Sequence, residues 1–310
     1  MILVTGINGF VGKHLAREIA SRGIPILGLG HHEGKADSEI ASLIAGYHQC
    51  DVTDPAQVKK LPLDKVSSVI NLAGLANVGA SFDKADLYME VNVKVLSVLG
   101  QALLEANLGA RMVAISTGAV YDPRQPMPLT EESETISQGS PYALSKLAME
   151  DAARTLRGKG LDCVVARPFN HIGPGQGLGF LIPDLASKLA SADKKDPAIT
   201  AGNLKTIRDY SDVRDIARAY ADLATAQKLN HDLYNVCSGS GQSGEDIVRE
   251  LCQALGIDFG KLEIKVDQSL IRPSDPAKIV GDNSRLQKDT GWKPDCELSA
   301  TVRDIVRSIC

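Results

Sequence analysis

Short runs of branched aliphatic residues alternate along the first half of the chain with longer segments whose apolar positions recur every three or four residues. The short runs suit buried strands and the longer segments suit helices with one apolar face. Ile2–Thr5 is the first predicted strand, and 11–22 the helix after it, closed by Gly23. Further strands are predicted over 25–29, 46–50, 66–72, 111–116 and 162–166, with two long helices over 83–107 and 142–158. Strands that are apolar throughout, rather than on alternate residues, belong to a parallel sheet covered by helices on both faces. The expected fold is therefore α/β, a Rossmann-type doubly wound parallel sheet.

At Arg167 the texture changes. The stretch RPFNHIGPGQGLG (167–179) carries too many glycines and prolines for a regular element and reads as a functional loop. Beyond it, helices are predicted over 183–192, 213–226, 243–255 and 298–309, with strands over 206–210 and 232–236. This pattern predicts a smaller C-terminal domain interleaved with the first: 1–167 plus about 207–237 for the dinucleotide-binding part, and about 168–206 plus 238–310 for the substrate-binding part.

Composition narrows the function. The 310 residues are 44% hydrophobic and 23% charged, enough apolar side chain for a full core. A net charge of −4 supplies no basic surplus for nucleic acid. No uninterrupted apolar run reaches the ~18–20 residues of a membrane span, and the chain opens directly on a strand, without a charged leader. Its six scattered cysteines form no C-x-x-C pair. Reduced thiols in a cytoplasmic enzyme are expected, with no metal site.

Between the first strand and first helix stands Gly6-Ile7-Asn8-Gly9-Phe10-Val11-Gly12. The first glycine permits a tight turn, the second lets backbone approach a pyrophosphate, and the third lets the helix pack on the sheet, while the helix N-terminus offers amide donors. This is a dinucleotide site by position as well as spacing. The second strand runs out into Gly30-His31-His32-Glu33, without an acid where one would bind the adenosine ribose hydroxyls. That absence leans toward NADP(H), with Lys35, His31 or His32 as phosphate partner, and NAD(H) as the alternative. Asp51 and Val52 close the third strand near the expected adenine, and Leu72, Ala73 and Gly74 close the fourth, where small residues let a cofactor pass.

Tyr142 and Lys146 lie four apart on one helix face. A cation beside a phenol favours phenolate and is expected to lower its pKa toward a useful range. Thr117 ends the fifth strand, at the carboxyl edge where open α/β sheets place ligands, and its hydroxyl can hold a carbonyl for the phenol to protonate.

With these residues identified, the chain resembles the extended short-chain dehydrogenase/reductase family in its nucleotide-sugar branch. TGINGFVG, STGAVY and YALSK carry the resemblance, which spans nearly the whole length. It implies Tyr142 as general acid/base, Lys146 on the nicotinamide ribose, Thr117 on the reacting oxygen, and Asn92, Arg167 and Pro168 near the cofactor. The family's dehydratases place an acid directly after the Thr117 position, whereas Gly118 and Ala119 stand here. Its epimerising reductases carry a cysteine at this strand end, and none is present. Keto reduction or 4-epimerisation through a transient ketone remains.

RPFNHIGPGQ, TIRDYSDVRD, YNVCSG and RPSD look most like the reductases of this branch that act on a GDP-linked 4-keto-6-deoxy sugar. That implies Asn170 on the sugar or first phosphate, Arg208 and Arg272 on the diphosphate, and Asp275 on the nucleoside ribose. Arginine forks suit a diphosphate. The alternatives are a 4-epimerase with tightly bound NAD and an inactive dinucleotide-sensing regulator. The two long helices resemble those that pair into a four-helix bundle between family subunits, so a homodimer is expected.

Overall fold

The computed structural model describes residues 1–31, 34–106, 109–271 and 276–309. Strands β1 (Ile2–Thr5), β2 (Ile26–Gly30), β3 (Gly46–Gln49), β4 (Ser68–Asn71), β5 (Arg111–Ile115) and β6 (Cys163–Pro168) alternate with helices. The helices are α1 (Phe10–Ser21), the single turns α2 (Pro55–Val58) and α3 (Val78–Ser81), then α4 (Ala85–Ala106) and α5 (Pro141–Gly158). Next come β7 (Asn170–Ile172), α6 (Leu181–Ala190), β8 (Ala198–Ala201), β9 (Ile207–Asp212), α7 (Val213–Thr225) and β10 (Leu233–Val236). The chain ends with β11 (Gly241–Ser243), α8 (Gly244–Leu255), β12 (Glu263–Val266), β13 (Lys278–Ile279), α9 (Ser284–Thr290) and α10 (Leu298–Ile309).

Seven strands form one parallel sheet in the order β10-β6-β5-β4-β1-β2-β3. The order reverses between β1 and β4, which opens a crevice at their carboxyl ends. One face is covered by α4 and α5, through Val95, Leu96, Leu99, Met149 and Ala153; the other by α1 and α7, through Leu15, Ile19, Ile216 and Tyr220. Burial on both faces is why β1 and β4 have no exposed residue.

The remaining elements build a second lobe around Ile182, Leu185, Ile247, Leu251, Val302 and Ile305, contributed by α6, α8 and α10. β9 pairs with β7, β11 and β13, while β8 pairs with β12. Helix α8 starts in a reciprocal cap in which Ser243 and Asp246 satisfy each other's backbone amides.

Three expectations change. The glycine-rich stretch after Arg167 holds a strand, β7, because extended backbone there pairs with β9. The β8–β12 pair was not foreseen: both strands are four residues long, too short for alternation to stand out. Helix α4 is long and apolar enough by length and composition to cross a membrane. Its buried residues, from Tyr88 to Leu103, pack as a core helix of the sheet.

Candidate active site

The loop from β1 to α1 has the shape the glycine spacing predicts. Gly6 turns at φ +65°, in the left-handed region. A side chain at Gly12 would meet the carbonyl oxygens of Gly6 and Ile7 at 2.5 Å, so the helix can start this close to the loop only with glycine there. Helix α1 begins at Gly9 with no side-chain cap and no acid in its first turn. The amides of Phe10, Val11 and Gly12 have no intrahelical acceptor, which makes this end an anion site.

Asn8 faces the other way. Its Oδ1 accepts from Asp37 N (2.9 Å) and its Nδ2 donates to the Lys35 carbonyl (3.3 Å), clasping the loop that follows β2. The nearby carboxylates of Asp37 and Glu39 are engaged by Lys13, each at 2.7 Å, which holds both below the usual carboxylate range. A side chain at Gly30 would lie 2.0 Å from Tyr47 Oη. The Tyr47 hydroxyl thus occupies the space a side chain at the end of β2 would take. His31 is exposed, with Nε2 3.8 Å from Asp51 Oδ2. The Asp51 Oδ1 atom accepts from Thr53 N (2.9 Å) and Oγ1 (2.7 Å), so half of this expected adenine partner is used in its own turn. Val52 is buried beside it.

At β4, Thr5 Oγ1 donates to Asn71 Oδ1 (2.7 Å) and accepts from Ala73 N (2.9 Å), which fixes the path of Leu72, Ala73 and Gly74 across the crevice. A Cβ on Gly74 would stand 2.7 Å from Asn92 Oδ1 and 3.7 Å from Lys146 Nζ, so glycine leaves those two polar groups room. Asn92, buried in α4, accepts from Leu75 N (2.8 Å) and donates to Ser145 Oγ (2.8 Å), tying the loop to α5.

Helix α5 starts at Ser140, whose hydroxyl accepts from Ala143 N, with Pro141 in its first turn. It presents Tyr142 and Lys146 to the end of β5. The Tyr142 hydroxyl is hydrogen-bonded to the side chain of Thr117, and Lys146 Nζ donates to the Ile115 carbonyl (2.8 Å). The three expected catalytic residues thus come together at the sheet's carboxyl edge, each nine-tenths or more buried.

Their electrostatics differ from expectation. Burial pushes the Tyr142 phenol up; the Thr117 hydrogen bond pulls against it and nearby Tyr88 adds to the rise. Desolvation of the phenolate outweighs the pull expected from the lysine. Lys146 itself is pushed down to about 8 by burial, with Glu150 opposing.

Gly118 sits under the ring of Phe169: a Cβ there would lie 2.9–3.0 Å from three ring carbons. Position 118, the first after Thr117, is closed to a side chain by shape, while Ala119 beside it is exposed. Arg167, expected at the cofactor, instead has its guanidinium in a buried fork with Glu150, at 2.9 and 2.6 Å, and 4.6 Å over the Tyr121 ring. An arginine this deep needs a carboxylate, and Glu150 is the one within reach. Pro168 is buried at the end of β6.

On the substrate side, Asn170 is exposed on β7, and Arg208 is half-buried on β9 with Nη1 donating to the Ile207 carbonyl (2.8 Å). Arg272 and Asp275, like His32, lie outside the described residues. Sequence reasoning missed the contact between Phe10 and His171, whose rings stack at 6.2 Å and join the cofactor loop to β7. It also missed His14, whose Nε2 lies 3.0 Å from the Pro174 carbonyl. Burial lowers the pKa of both histidines.

A glycine-turned helix N-terminus at the switch point, facing a Thr-Tyr-Lys set, fits a dinucleotide pyrophosphate at one end and a nicotinamide ribose at the other. Fold and site together define an oxidoreductase of the nicotinamide-dinucleotide type.

Comparison with known proteins agrees. Residues 3–305 match the family model of GDP-mannose 4,6 dehydratase, and the chain belongs to that family. It is 31% identical to the GDP-6-deoxy-D-mannose reductase of Pseudomonas aeruginosa, over 98% of this chain and 95% of the relative. It is 30% identical to the GDP-6-deoxy-D-talose 4-dehydrogenase of Aggregatibacter actinomycetemcomitans, over 92% and 89%. The structure of RMD from Pseudomonas aeruginosa complexed with NADPH superposes with a TM-score of 0.83 at 30% identity, covering 99% of this chain and 97% of that one. The UDP-glucose 4-epimerase of Thermus thermophilus in complex with NAD gives 0.84 at 25%, covering 99% and 98%.

Proposed function

We propose that the protein is an NADPH-dependent 4-ketoreductase that converts GDP-4-keto-6-deoxy-D-mannose to GDP-D-rhamnose. The observation that carries this reading is the Thr117–Tyr142–Lys146 cluster with Gly118 sealed beneath Phe169: the site keeps a proton donor for a ketone, has no space for a side chain at 118, and carries no acid at 118 or 119. Similarity to a GDP-6-deoxy-D-mannose reductase over 98% of the chain supports the choice of substrate.

When bound, the nicotinamide supplies the hydride. The residues of this chain do the rest. Thr117 holds the sugar oxygen, and Tyr142 donates a proton to it as charge develops. Lys146 holds the ribose and stabilises the phenolate left behind. The amides of Phe10, Val11 and Gly12 receive the pyrophosphate, with Leu72, Ala73 and Gly74 alongside. The preference for NADP(H) is supported by the absence of an acid at position 30, where the Tyr47 hydroxyl fills the space of a side chain. Asn170, Arg208, Arg272 and Asp275 bind the GDP part and bring the ketone within reach.

An anaerobic incubation with the keto sugar tests the reading: NADPH is consumed one for one by the reductase. A 4-epimerase with resident NAD, the second reading, has relatives in its favour at 28% identity; it turns over with no added nicotinamide. An inactive dinucleotide sensor would turn over in neither case, and its retention of both Tyr142 and Lys146 counts against it. A thermal-shift panel of GDP, UDP, CDP and dTDP identifies the base.

The proposal extends to a homodimer through α4 and α5. Their outer surface carries a groove of about 500 Å³ lined by Ser97, Val98, Gln101, Ala152 and Leu156 among others. Met89 stands exposed on the same helix pair. A cytoplasmic setting is proposed from the cysteines, of which Cys50, Cys163, Cys237, Cys252 and Cys296 are free.

A further inference from the structure

Three consecutive residues at the carboxyl end of β5 are each held by one face of α5. The Ile115 carbonyl accepts from Lys146, the Ser116 hydroxyl donates to Glu150, and the Thr117 hydroxyl is bonded to Tyr142. The three helix residues are spaced by four and form one stripe. Tyr142 and Lys146 have roles in the reaction above; Glu150, only 7% exposed, has none.

Its surroundings are built for a carboxylate. Arg167, from the neighbouring strand β6, donates through Nε to Oε1 (2.9 Å) and through Nη2 to Oε2 (2.6 Å). The guanidinium lies over Tyr121, whose hydroxyl donates to Asn235 Oδ1 (2.6 Å) on β10. Helix α5 is thereby connected through β5 and β6 to the edge strand. Burying such an ion pair costs about as much as its attraction returns, and apolar side chains of similar volume often hold a core as well. A purely structural link would not need charge. What the charge does have is a neighbour: Lys146, one helical turn away.

We propose that Glu150 is a positioning residue of the active site: its carboxylate, gripped by Ser116 and Arg167, sets the β5 edge against α5 and places a negative charge one helical turn from Lys146. The inference rests on the reductase reading above for its kinetic consequences only. The titratable groups around the Lys146–Tyr142 pair are Glu150 on their own helix, Arg167 from β6, Tyr88 from α4 and Tyr220 from α7. Glu150 is the group among them that favours the charged lysine.

The test uses the full-length protein as Glu150→Gln and as Glu150→Gln with Arg167→Met. Gln keeps an oxygen for Ser116 and removes the charge; the second change removes the arginine otherwise left buried and unpaired. The Lys146 ammonium is titrated in the ligand-free protein by 15N NMR of lysine side chains, assigned with Lys146→Arg. The expected result is a lower midpoint in both variants, by about one pH unit in the single one, where Arg167 is left unopposed, and by less in the double one. Single-turnover NADPH oxidation with GDP-4-keto-6-deoxymannose should lose its alkaline limb at correspondingly lower pH, with KM for the sugar changed less than about threefold. The double variant should recover the melting temperature lost in the single one without recovering the limb. A Lys146 midpoint unmoved in both variants, or a parental pH profile in the double variant, would reduce Glu150 to a structural tie and overturn the proposal. A parent protein that does not oxidise NADPH with the keto sugar would instead sink the reductase reading, and the NMR titration would still decide the role of Glu150.

Discussion

Replacing Gly118 by alanine adds one methyl group at a place with no slack. That carbon would lie 2.9–3.0 Å from Cδ2, Cε2 and Cγ of Phe169, against the ~3.5–4.0 Å at which carbons attract. The ring would have to retreat by roughly 0.5–1 Å. It cannot do so freely. Its Cζ and Cε2 already occupy the space of a side chain at Gly281, at 2.6 and 2.8 Å from where that Cβ would stand. Phe169 is 5% exposed and packs with Tyr121, Leu129 and Cys237. Overpacking of this kind costs about 1–3 kcal/mol, and the double clamp places Gly118→Ala in the upper half of that range. At about 2–4 °C per kcal/mol for a large chain, the melting temperature should fall by about 4–12 °C. Scanning calorimetry of the ligand-free protein measures it. Combining the change with Phe169→Leu should cost much less than it does in the parent background, because the ring that clashes is gone. A melting temperature within about 1 °C of the parent for Gly118→Ala would refute the reasoning, and with it the claim that shape excludes a side chain here.

Tyr142→Phe should lower reductive turnover by about 10²–10⁴-fold while leaving NADPH binding intact by fluorescence titration; a loss below tenfold would remove the phenol from its role. With Lys146 at about 8, turnover in the reductive direction should fall as pH rises through that value, and a rate flat to pH 10 would contradict it. The same lysine ordinarily titrates at 10.5, so the fold disfavours its charge. The ligand-free parent should therefore gain stability over Lys146→Met as pH rises from about 8 to 10.5, read by denaturant unfolding. Arg208→Met should weaken GDP binding at least about tenfold in calorimetry and leave NADPH affinity unchanged. Ala152→Arg, half-buried in the groove of α4 and α5 proposed as the dimer interface, should give a folded protein that sediments as a monomer where the parent sediments as a dimer; a monomeric parent would refute the proposed dimer.

Much of this molecule is legible in the order of its residues. Strands β1 to β5 fall within two residues of the predicted bounds; β1, β2, β4 and β5 do so because burial on both faces leaves them mostly apolar, whereas the edge strand β3 is half-exposed and polar. Thr117, Tyr142 and Lys146 were found because a strand end and an i, i+4 pair are local signals. What stayed hidden depends on who lies opposite. Glu150, one turn beyond Lys146, carries no sequence sign of a partner; Arg167 and Ser116, brought to it by the sheet, make it a paired, buried acid. Arg167 was expected at the cofactor for the same reason: its carboxylate partner is 17 residues away and on another element. The phenol's pKa was misjudged in direction, since a spacing of four shows the neighbouring cation but not the loss of water. Tyr47 gives no sign that its hydroxyl fills the space above Gly30, 17 positions earlier.

The large sheet takes its outermost strand, β10, from residues 233–236, after the chain has already left to form β7, α6, β8 and β9. No single peptide bond separates one lobe from the other. A chimaera that borrows a foreign sugar-recognition lobe would need at least two junctions, one after β6 and another around β10, and a fragment ending between them would expose the bare flank of β6 to any passing strand.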